Sequence, residues 1–149
     1  MPTHTEKKFL PHKPEQMFDL VADVGRYPEF LPWCVGARIR SRTETLLVAD
    51  LIISFKGMRE NFTSNVALDR DAMTIDVTYK DGPFKYLNNN WYFDQTASGQ
   101  CMLDFYVDFE FKSRILEMVI EILFGEAVRR MVHAFEQRAA QLYGPAAIS

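Results

Sequence analysis

Histidine and carboxylate side chains are the residues of this sequence that could act as general acids or bases. The three histidines, His4, His12 and His133, are scattered between the N-terminus, a loop and a C-terminal segment. None has a nucleophile or carboxylate at a spacing that predicts a catalytic pair. We therefore expect each histidine to lie at the solvated surface.

The remaining candidates for chemistry also fit structural roles better. Asp104, Asp108 and Glu110 share one face of a predicted strand, which is typical of solvated acids rather than of an acid and base flanking a substrate. Cys34 and Cys101 lack metal-type spacing, so we interpret both as reduced core thiols. The sequence predicts no metal site, no catalytic cofactor and no enzymatic activity.

Length and composition predict how many domains the protein has. The 149 residues contain 48% hydrophobic side chains and carry a net charge of −3, without repeats or linkers. One globular domain over residues 1–149, with its core at about 3–144, is expected. The N-terminus shows no secretory signal and no segment is long enough to span a bilayer, so a cytoplasmic location is predicted.

An aromatic loop, "RYPEFLPWC" at residues 26–34, follows a predicted helix that has Pro14 at its first position and ends at Gly25. Two prolines limit any helix in this loop to about one turn. Its large side chains must be buried under another element or offered to a partner. They are Tyr27, Phe30, Leu31 and Trp33.

Alternating apolar and polar residues predict a short first strand and a run of about six further strands. The connections in that run are too short for crossover helices, which favours an antiparallel meander. The clearest strand is "CMLDFYVDFEFK". The predicted inner face is formed by Leu47, Ala49, Leu51, Ile53, Phe55, Phe62, Val66, Leu68, Met73, Ile75, Val77, Tyr79, Leu87, Trp91, Phe93, Cys101, Leu103, Phe105, Val107, Phe109 and Phe111.

Residues 113–143 are predicted to form one long helix with Ser113 as its N-cap. In its first half, apolar side chains occupy most of the circumference and leave Glu117 and Glu121 on a narrow polar stripe. A helix on a sheet needs one apolar face, so the surplus must contact something else. The fold class is therefore α+β, with a curved antiparallel sheet wrapped around the terminal helix and a hydrophobic cavity between them.

Two segments, "VADVGRYPEFLPWCVGARI" and "FYVDFEFKSRILEMV", resemble the coenzyme Q-binding protein family. That family belongs to the START-like, polyketide cyclase group with the helix-grip fold, and the resemblance spans residues 5–143. It implies a carrier that binds ubiquinone or a similar isoprenoid lipid and supports respiratory electron transport. Respiratory-chain components are implied as further partners.

The residues expected to contact the quinone combine this resemblance with the predicted inner surface. Trp91 and Tyr79, together with Glu60 and Ser64, are predicted to orient the ring. The predicted binding residues are Phe18, Phe30, Leu31, Trp33, Leu51, Ile53, Phe62, Val66, Tyr79, Trp91, Phe105, Phe109, Val119 and Leu123.

The aromatic loop has two interpretations in such a fold. As a rim at the cavity mouth, Phe30, Leu31 and Phe124 would make transient contact with a membrane, and the protein would associate peripherally with the inner membrane. As a lid, the same loop would be buried. Tyr27 and Trp33 are expected to pack as a structural plug in either case.

Relatives of this family suggest two alternatives to a carrier. A ribosome-associated translation inhibitor would need a basic surface, and Arg38, Arg40 and Arg42 are predicted to alternate on one strand face, with Arg129 and Arg130 further along. An aromatic polyketide cyclase would need polar groups inside the cavity, where Glu60 is the one predicted acid.

Overall fold

The computed structural model describes residues 3–55 and 57–144, and the side chain of Phe55, predicted on the inner face, lies outside what it describes. Within these residues, seven strands, two α-helices and a 3-10 helix follow one another. They are β1 (Thr3–Leu10), α1 (Pro14–Ala22), the 3-10 helix (Val24–Glu29), β2 (Cys34–Arg42), β3 (Leu46–Phe55), β4 (Met58–Asp69), β5 (Thr74–Asp81), β6 (Phe84–Gln95), β7 (Cys101–Phe111) and α2 (Arg114–Tyr143).

All seven strands form one antiparallel sheet in the order β1-β7-β6-β5-β4-β3-β2. Strands β2 to β7 pair in sequence order, and β1 pairs with β7 at the opposite edge. The predicted α+β helix-grip fold, a curved sheet with a long C-terminal helix, is confirmed. The alternation in β7 also holds, because Cys101, Leu103 and Phe105 are buried while the residues between them are partly exposed.

Helix α1, which precedes the aromatic loop, ends earlier than predicted. Pro14 occupies the first turn of α1, and the Gln16 side chain accepts a hydrogen bond from the Lys13 amide. The helix ends at Ala22 rather than at Gly25, and the chain continues as a six-residue 3-10 helix that contains Pro28.

Helix α2 begins where predicted and differs in packing between its halves. The Ser113 Oγ atom accepts a 3.3 Å hydrogen bond from the Leu116 amide, and the Glu117 carboxylate accepts one of 2.8 Å from the Phe111 amide. In this fully described helix the buried residues are Val128, Val132, Phe135 and Ala139. The C-terminal half therefore seals the core, and the N-terminal half spans the sheet more loosely.

The edge strand β2 contains a β-bulge, which changes the predicted arrangement of its three arginines. Ile39 pairs with Ala49 whereas Ser41 pairs with Val48, so Arg40 is the extra residue. Arg38 pairs with Asp50 on the convex face, but Arg42 pairs with Leu47, whose side chain belongs to the concave face. The prediction that the three arginines share one face is wrong, because the bulge reverses the alternation after Arg40.

Candidate ligand-binding cavity

A cavity of about 300 Å³ lies between the concave face of the sheet and α2. Every strand from β2 to β7 contributes to its wall, and α1, the aromatic loop and α2 close it. The lining residues are overwhelmingly aliphatic and aromatic, and none of the described ones carries a charged side chain. Such a wall suits a hydrocarbon ligand.

A smaller cavity of about 140 Å³ adjoins the first under the N-terminal half of α2. The two share Trp33, Ile53 and Phe62 in their walls. Glu60 lies in the wall of the smaller cavity, together with Leu116 and Val119 of α2. The space therefore continues along the loosely packed half of the helix.

Most of the residues predicted to bind a ligand lie together around these cavities. The larger one is bordered by side chains from the loop and from strands β3, β4, β6 and β7, and Val119 borders the smaller one. The predicted residues that the structure brings together are Leu31, Trp33, Leu51, Ile53, Phe62, Val66, Trp91, Phe105, Phe109 and Val119.

The other predicted residues lie outside both cavity walls. Phe18 is fully buried between α1 and the sheet, where its ring packs edge-on against Phe93 at 5.8 Å. Phe30 packs against Phe135 at 5.3 Å and faces an outer groove. Tyr79 packs on Phe84 at 5.5 Å, and Leu123 is half-buried on α2. Helical and strand periodicity identify apolar positions but do not separate packed core from cavity wall.

Asn89 is a polar residue of the larger cavity wall that is not among the residues predicted to bind a ligand. Asn89 lies in the wall, where its Oδ1 atom accepts a 2.7 Å hydrogen bond from Trp91 Nε1 and its Nδ2 atom donates one of 2.9 Å to the Tyr106 carbonyl. Trp91 was predicted to orient a ring, but its N–H already has this partner. Asn89 lies two residues from both Leu87 and Trp91, which were predicted on the inner face. This alternation could have predicted that Asn89 faces the cavity.

Ser64 and Tyr79 are the other polar candidates from the sequence. Ser64 is buried and lies in the wall of the larger cavity, as predicted. It is the register partner of Tyr79. The Tyr79 hydroxyl is buried without a hydrogen-bond partner in the described part of the chain, although Tyr79 is not part of the wall. Ser64 is therefore accessible to a ligand where Tyr79 is not.

The aromatic loop is partly a plug and partly cavity wall. The Tyr27 hydroxyl donates a hydrogen bond to the Val21 carbonyl, its ring packs on Phe135 at 5.5 Å, and burial raises its pKa well above the ordinary 10.0. Trp33 adopts a left-handed φ of 67° at the cavity. Phe30, Leu31 and Phe124, the predicted membrane rim, are all half-buried.

The three histidines differ in how far they are buried. His12 is buried, and its Nε2 atom lies 3.3 Å from the Gly144 carbonyl oxygen; His4 is half-buried between the rings of Phe105 and Phe124. The expectation of a solvated surface therefore fails for these two and holds for the exposed His133. Loop and terminal residues usually lie at the surface, but the long helix covers His4 and His12.

Both cysteines are buried free thiols, which fits the predicted packing role. Burial, followed by the nearby charge of Asp94, raises the pKa of Cys101 to about 12. Burial also raises the pKa of Cys34, whose thiol donates to the Gly36 carbonyl at 3.6 Å. Both groups are therefore neutral at physiological pH.

Charged groups on the convex side of the sheet form a separate cluster. The buried Asp50 carboxylate accepts hydrogen bonds from Arg40 Nε at 2.6 Å and from Thr63 Oγ1 at 2.5 Å. The Thr63 hydrogen bond, and then Arg40, lower the pKa of Asp50 below 3.8 despite its burial. Arg40 is thus partly neutralised by a side chain of its own sheet.

Two features are absent from the described residues. No helix in residues 3–55 and 57–144 is long and apolar enough to cross a membrane. Over the same residues, no three His, Cys, Asp or Glu side chains lie together as metal ligands would.

A curved antiparallel sheet that grips a long helix around an apolar cavity defines a START-like helix-grip domain. The chain belongs to the polyketide cyclase/dehydrase and lipid transport family, whose model matches residues 10–136. The predicted membership of this group is confirmed.

The names of individual relatives describe two different functions. The ribosome association toxin RatA of Rickettsia prowazekii is 39% identical over 91% of this chain and 94% of its own length. The mitochondrial coenzyme Q-binding protein COQ10 homolog B of Xenopus laevis is 35% identical, and the matched region covers 95% of this chain and 59% of that protein. The solution structure of the 18 kDa protein CC1736 from Caulobacter crescentus is 37% identical over 97% of this chain and all of its own, with a TM-score of 0.78.

Proposed function

We propose that the protein is a carrier that binds an isoprenoid quinone, such as ubiquinone, between the sheet and α2. The observation that carries the proposal is the 300 Å³ cavity with its uncharged, aromatic-rich wall. The name of the COQ10 relative supports a quinone as the ligand. A wall of this chemistry favours binding over catalysis, since Glu60, the acid predicted on the inner face, lines the smaller cavity instead.

Filling the cavity provides a direct test of this binding mode. Ala127 borders both cavities from α2, so Ala127→Phe should occupy the space and weaken binding of a short-tail ubiquinone at least tenfold. Ala140 is exposed on the same helix, so Ala140→Phe is the matched control and should bind like the parent. Binding is followed by tryptophan fluorescence, because Trp33 and Trp91 both line the cavity.

The ligand carried by the purified protein is the second measurement. Mass spectrometry of an organic extract should detect a quinone at a stoichiometry approaching one to one. An extract without quinone, together with tryptophan fluorescence that a short-tail ubiquinone leaves unchanged, would remove the proposal.

A quinone that cannot cross water requires contact between the carrier and a bilayer. Ile115, Met118 and Ile122 are 70%, 65% and 82% exposed, and their spacing puts them on one face of α2. We call these three residues the α2 stripe. On the same segment, Leu116, Val119 and Ile120 line the smaller cavity. A ligand that leaves beneath this half of the helix would emerge beside the stripe.

The size of the α2 stripe favours a membrane over a second protein. A stable protein interface buries about 800 Å² on each partner, which is far more than three side chains can supply. Burying an apolar side chain in a bilayer gains about 1.5–3 kcal/mol, so three suffice for reversible attachment. We therefore propose that the α2 stripe, rather than Phe30, Leu31 and Phe124, makes the transient contact with the inner membrane.

Association with the ribosome is a second candidate, favoured by the RatA relative. Arg38 is exposed on the edge strand β2 and would contact RNA phosphates. Cosedimentation with ribosomes should fall between 50 and 200 mM salt and should weaken in Arg38→Glu. Lys7→Glu, at the opposite edge strand β1, is the control with the same charge reversal. Equal cosedimentation of parent and Arg38→Glu at both salt concentrations would count against this surface.

A further inference from the structure

The side chain of Asn89 is held in a single orientation in the cavity wall. Trp91 Nε1 can only donate a hydrogen bond, so the Asn89 atom 2.7 Å from it must be the amide oxygen. The Tyr106 carbonyl can only accept, so the Asn89 atom 2.9 Å from it must be the amide nitrogen. Two independent partners thus determine which end of the amide is which.

This arrangement leaves the amide with hydrogen-bonding capacity. An asparagine Nδ2 carries two N–H groups, and one of them is used by Tyr106. Among the hydrogen bonds of the described residues, the Tyr106 carbonyl is the one acceptor for Nδ2, so the second N–H has none. Most of the surrounding wall, including Leu87, Val77 and Val107, consists of hydrocarbon that offers none.

An acceptor brought by the ligand would complete this group. We infer that the second N–H of Asn89 Nδ2 donates a hydrogen bond to a ring ketone oxygen of the bound lipid and thereby selects ligands with a carbonyl-bearing head. The inference rests on the proposed carrier function and adds the residue that distinguishes a quinone from a plain hydrocarbon. Trp91, held by the same amide, fixes the donor in place.

The first test uses the unmodified protein and a matched pair of ligands. One is a short-tail ubiquinone, and the other is the methyl-dimethoxybenzene with the same tail, in which hydrogen replaces both ketone oxygens. In ¹⁵N–¹H spectra, the Asn89 side-chain proton that does not face Tyr106 should move downfield with the quinone and not with the dimethoxybenzene analogue, which lacks the ketone oxygens. Equal shifts with both ligands would overturn the inference.

The second test compares variants by the ratio of the two affinities, so that general changes in the cavity cancel. The parent should prefer the quinone by about two- to tenfold, the range expected of one net hydrogen bond. Asn89→Leu should lose that preference. Asn88→Leu is the control, because Asn88 is exposed on the same strand and points to the opposite face. An unchanged ratio in folded Asn89→Leu would overturn the inference.

The outcomes separate this inference from the proposed function. If neither ligand binds the parent protein, the carrier proposal fails and the role of Asn89 fails with it. If both ligands bind equally well and Asn89 does not discriminate between them, the carrier proposal stands and the inference about Asn89 is wrong. Should Asn89→Leu not fold, the spectra of the parent still decide.

Discussion

Trp91 Nε1 donates a 2.7 Å hydrogen bond to Asn89 Oδ1, two residues earlier on the same strand and on the same face of the sheet. The pair satisfies the indole N–H inside an apolar cavity, where an unpaired polar group would be costly. The Trp91 ring also packs edge-on against Phe105 at 4.8 Å and Phe135 at 5.3 Å. One side chain thus connects the sheet, the helix and the polar group of the cavity.

A charge on the inner face of β7 should destabilise the whole domain. Phe109 is buried against Phe84, Phe111 and Phe124, so Phe109→Asp leaves an unpaired carboxylate there, at a cost of several kcal/mol. Phe9→Asp is the control, since Phe9 is 47% exposed on β1. Urea unfolding should show a large loss for the first and about 1 kcal/mol or less for the second. Similar losses in both would mean that the inner face is not buried.

Phe18 should matter for stability and not for ligand affinity. It is fully buried on α1 against Phe93 and lies outside the cavity wall. Phe18→Ala should cost about 3–5 kcal/mol of unfolding free energy, as for other large core truncations. The folded fraction should bind a short-tail ubiquinone with unchanged affinity, measured by fluorescence titration. A specific loss of affinity would instead restore Phe18 to the binding residues predicted from sequence.

The α2 stripe should control membrane attachment without contributing to the fold. Met118→Ser combined with Ile122→Ser should reduce liposome binding by a factor of the order of a hundred, since each side chain loses its burial in the bilayer. The melting temperature should stay unchanged because both positions are largely exposed.

The matched variant for this experiment changes the predicted rim instead. Leu31 and Phe124 are half-buried in the cavity wall, so Leu31→Ser with Phe124→Ser should lower the melting temperature. Its folded molecules should keep their liposome affinity. If liposome binding fell in Leu31→Ser with Phe124→Ser and not in Met118→Ser with Ile122→Ser, the membrane contact would lie at the aromatic loop.

Asp50 should make stability depend on pH in acid. Its folded pKa lies below 3.8 because the Thr63 hydroxyl and Arg40 stabilise the carboxylate. The stabilisation is therefore present above the unfolded pKa and is lost as pH falls through the lower folded value. The stability difference between the parent and Asp50→Asn should be full at pH 7 and shrink below about pH 4, followed by urea unfolding. A difference that does not change with pH would show that ionisation is not its source.

The turn before β6 should tolerate no side chain. Gly82 has a φ of 140°, and a Cβ atom there would lie 2.5 Å from Cβ of Phe62, which lines both cavities. Gly99 has a φ of 82° but its nearest neighbour would be 3.7 Å away, so Gly99→Ala measures backbone strain alone. Gly82→Ala should be the more destabilising variant and should also weaken ligand binding. Equal losses in the two melts would mean that Phe62 moves aside freely.

The amino-acid pattern alone predicts most of the helices and strands and the faces that they bury. Residues 101–111 alternate so regularly that their inner side chains are assigned correctly, and Ser113 at the start of α2 accepts the hydrogen bond expected of an N-cap. Period and capping are local properties, because they depend on neighbours within a few residues. The apolar surplus in the first half of α2 was visible for the same reason.

Packing between elements that are distant in sequence determines which apolar residues surround empty space and which polar groups lie among them. Phe18 and Phe105 both follow a predicted apolar face, but Phe18 meets Phe93 while Phe105 lines the cavity. The bulge at Arg40 and the partners of Asn89 likewise depend on strands that are distant in sequence. Alternation specifies a direction for each side chain, and the distance to what lies opposite is set only when sheet and helix pack together.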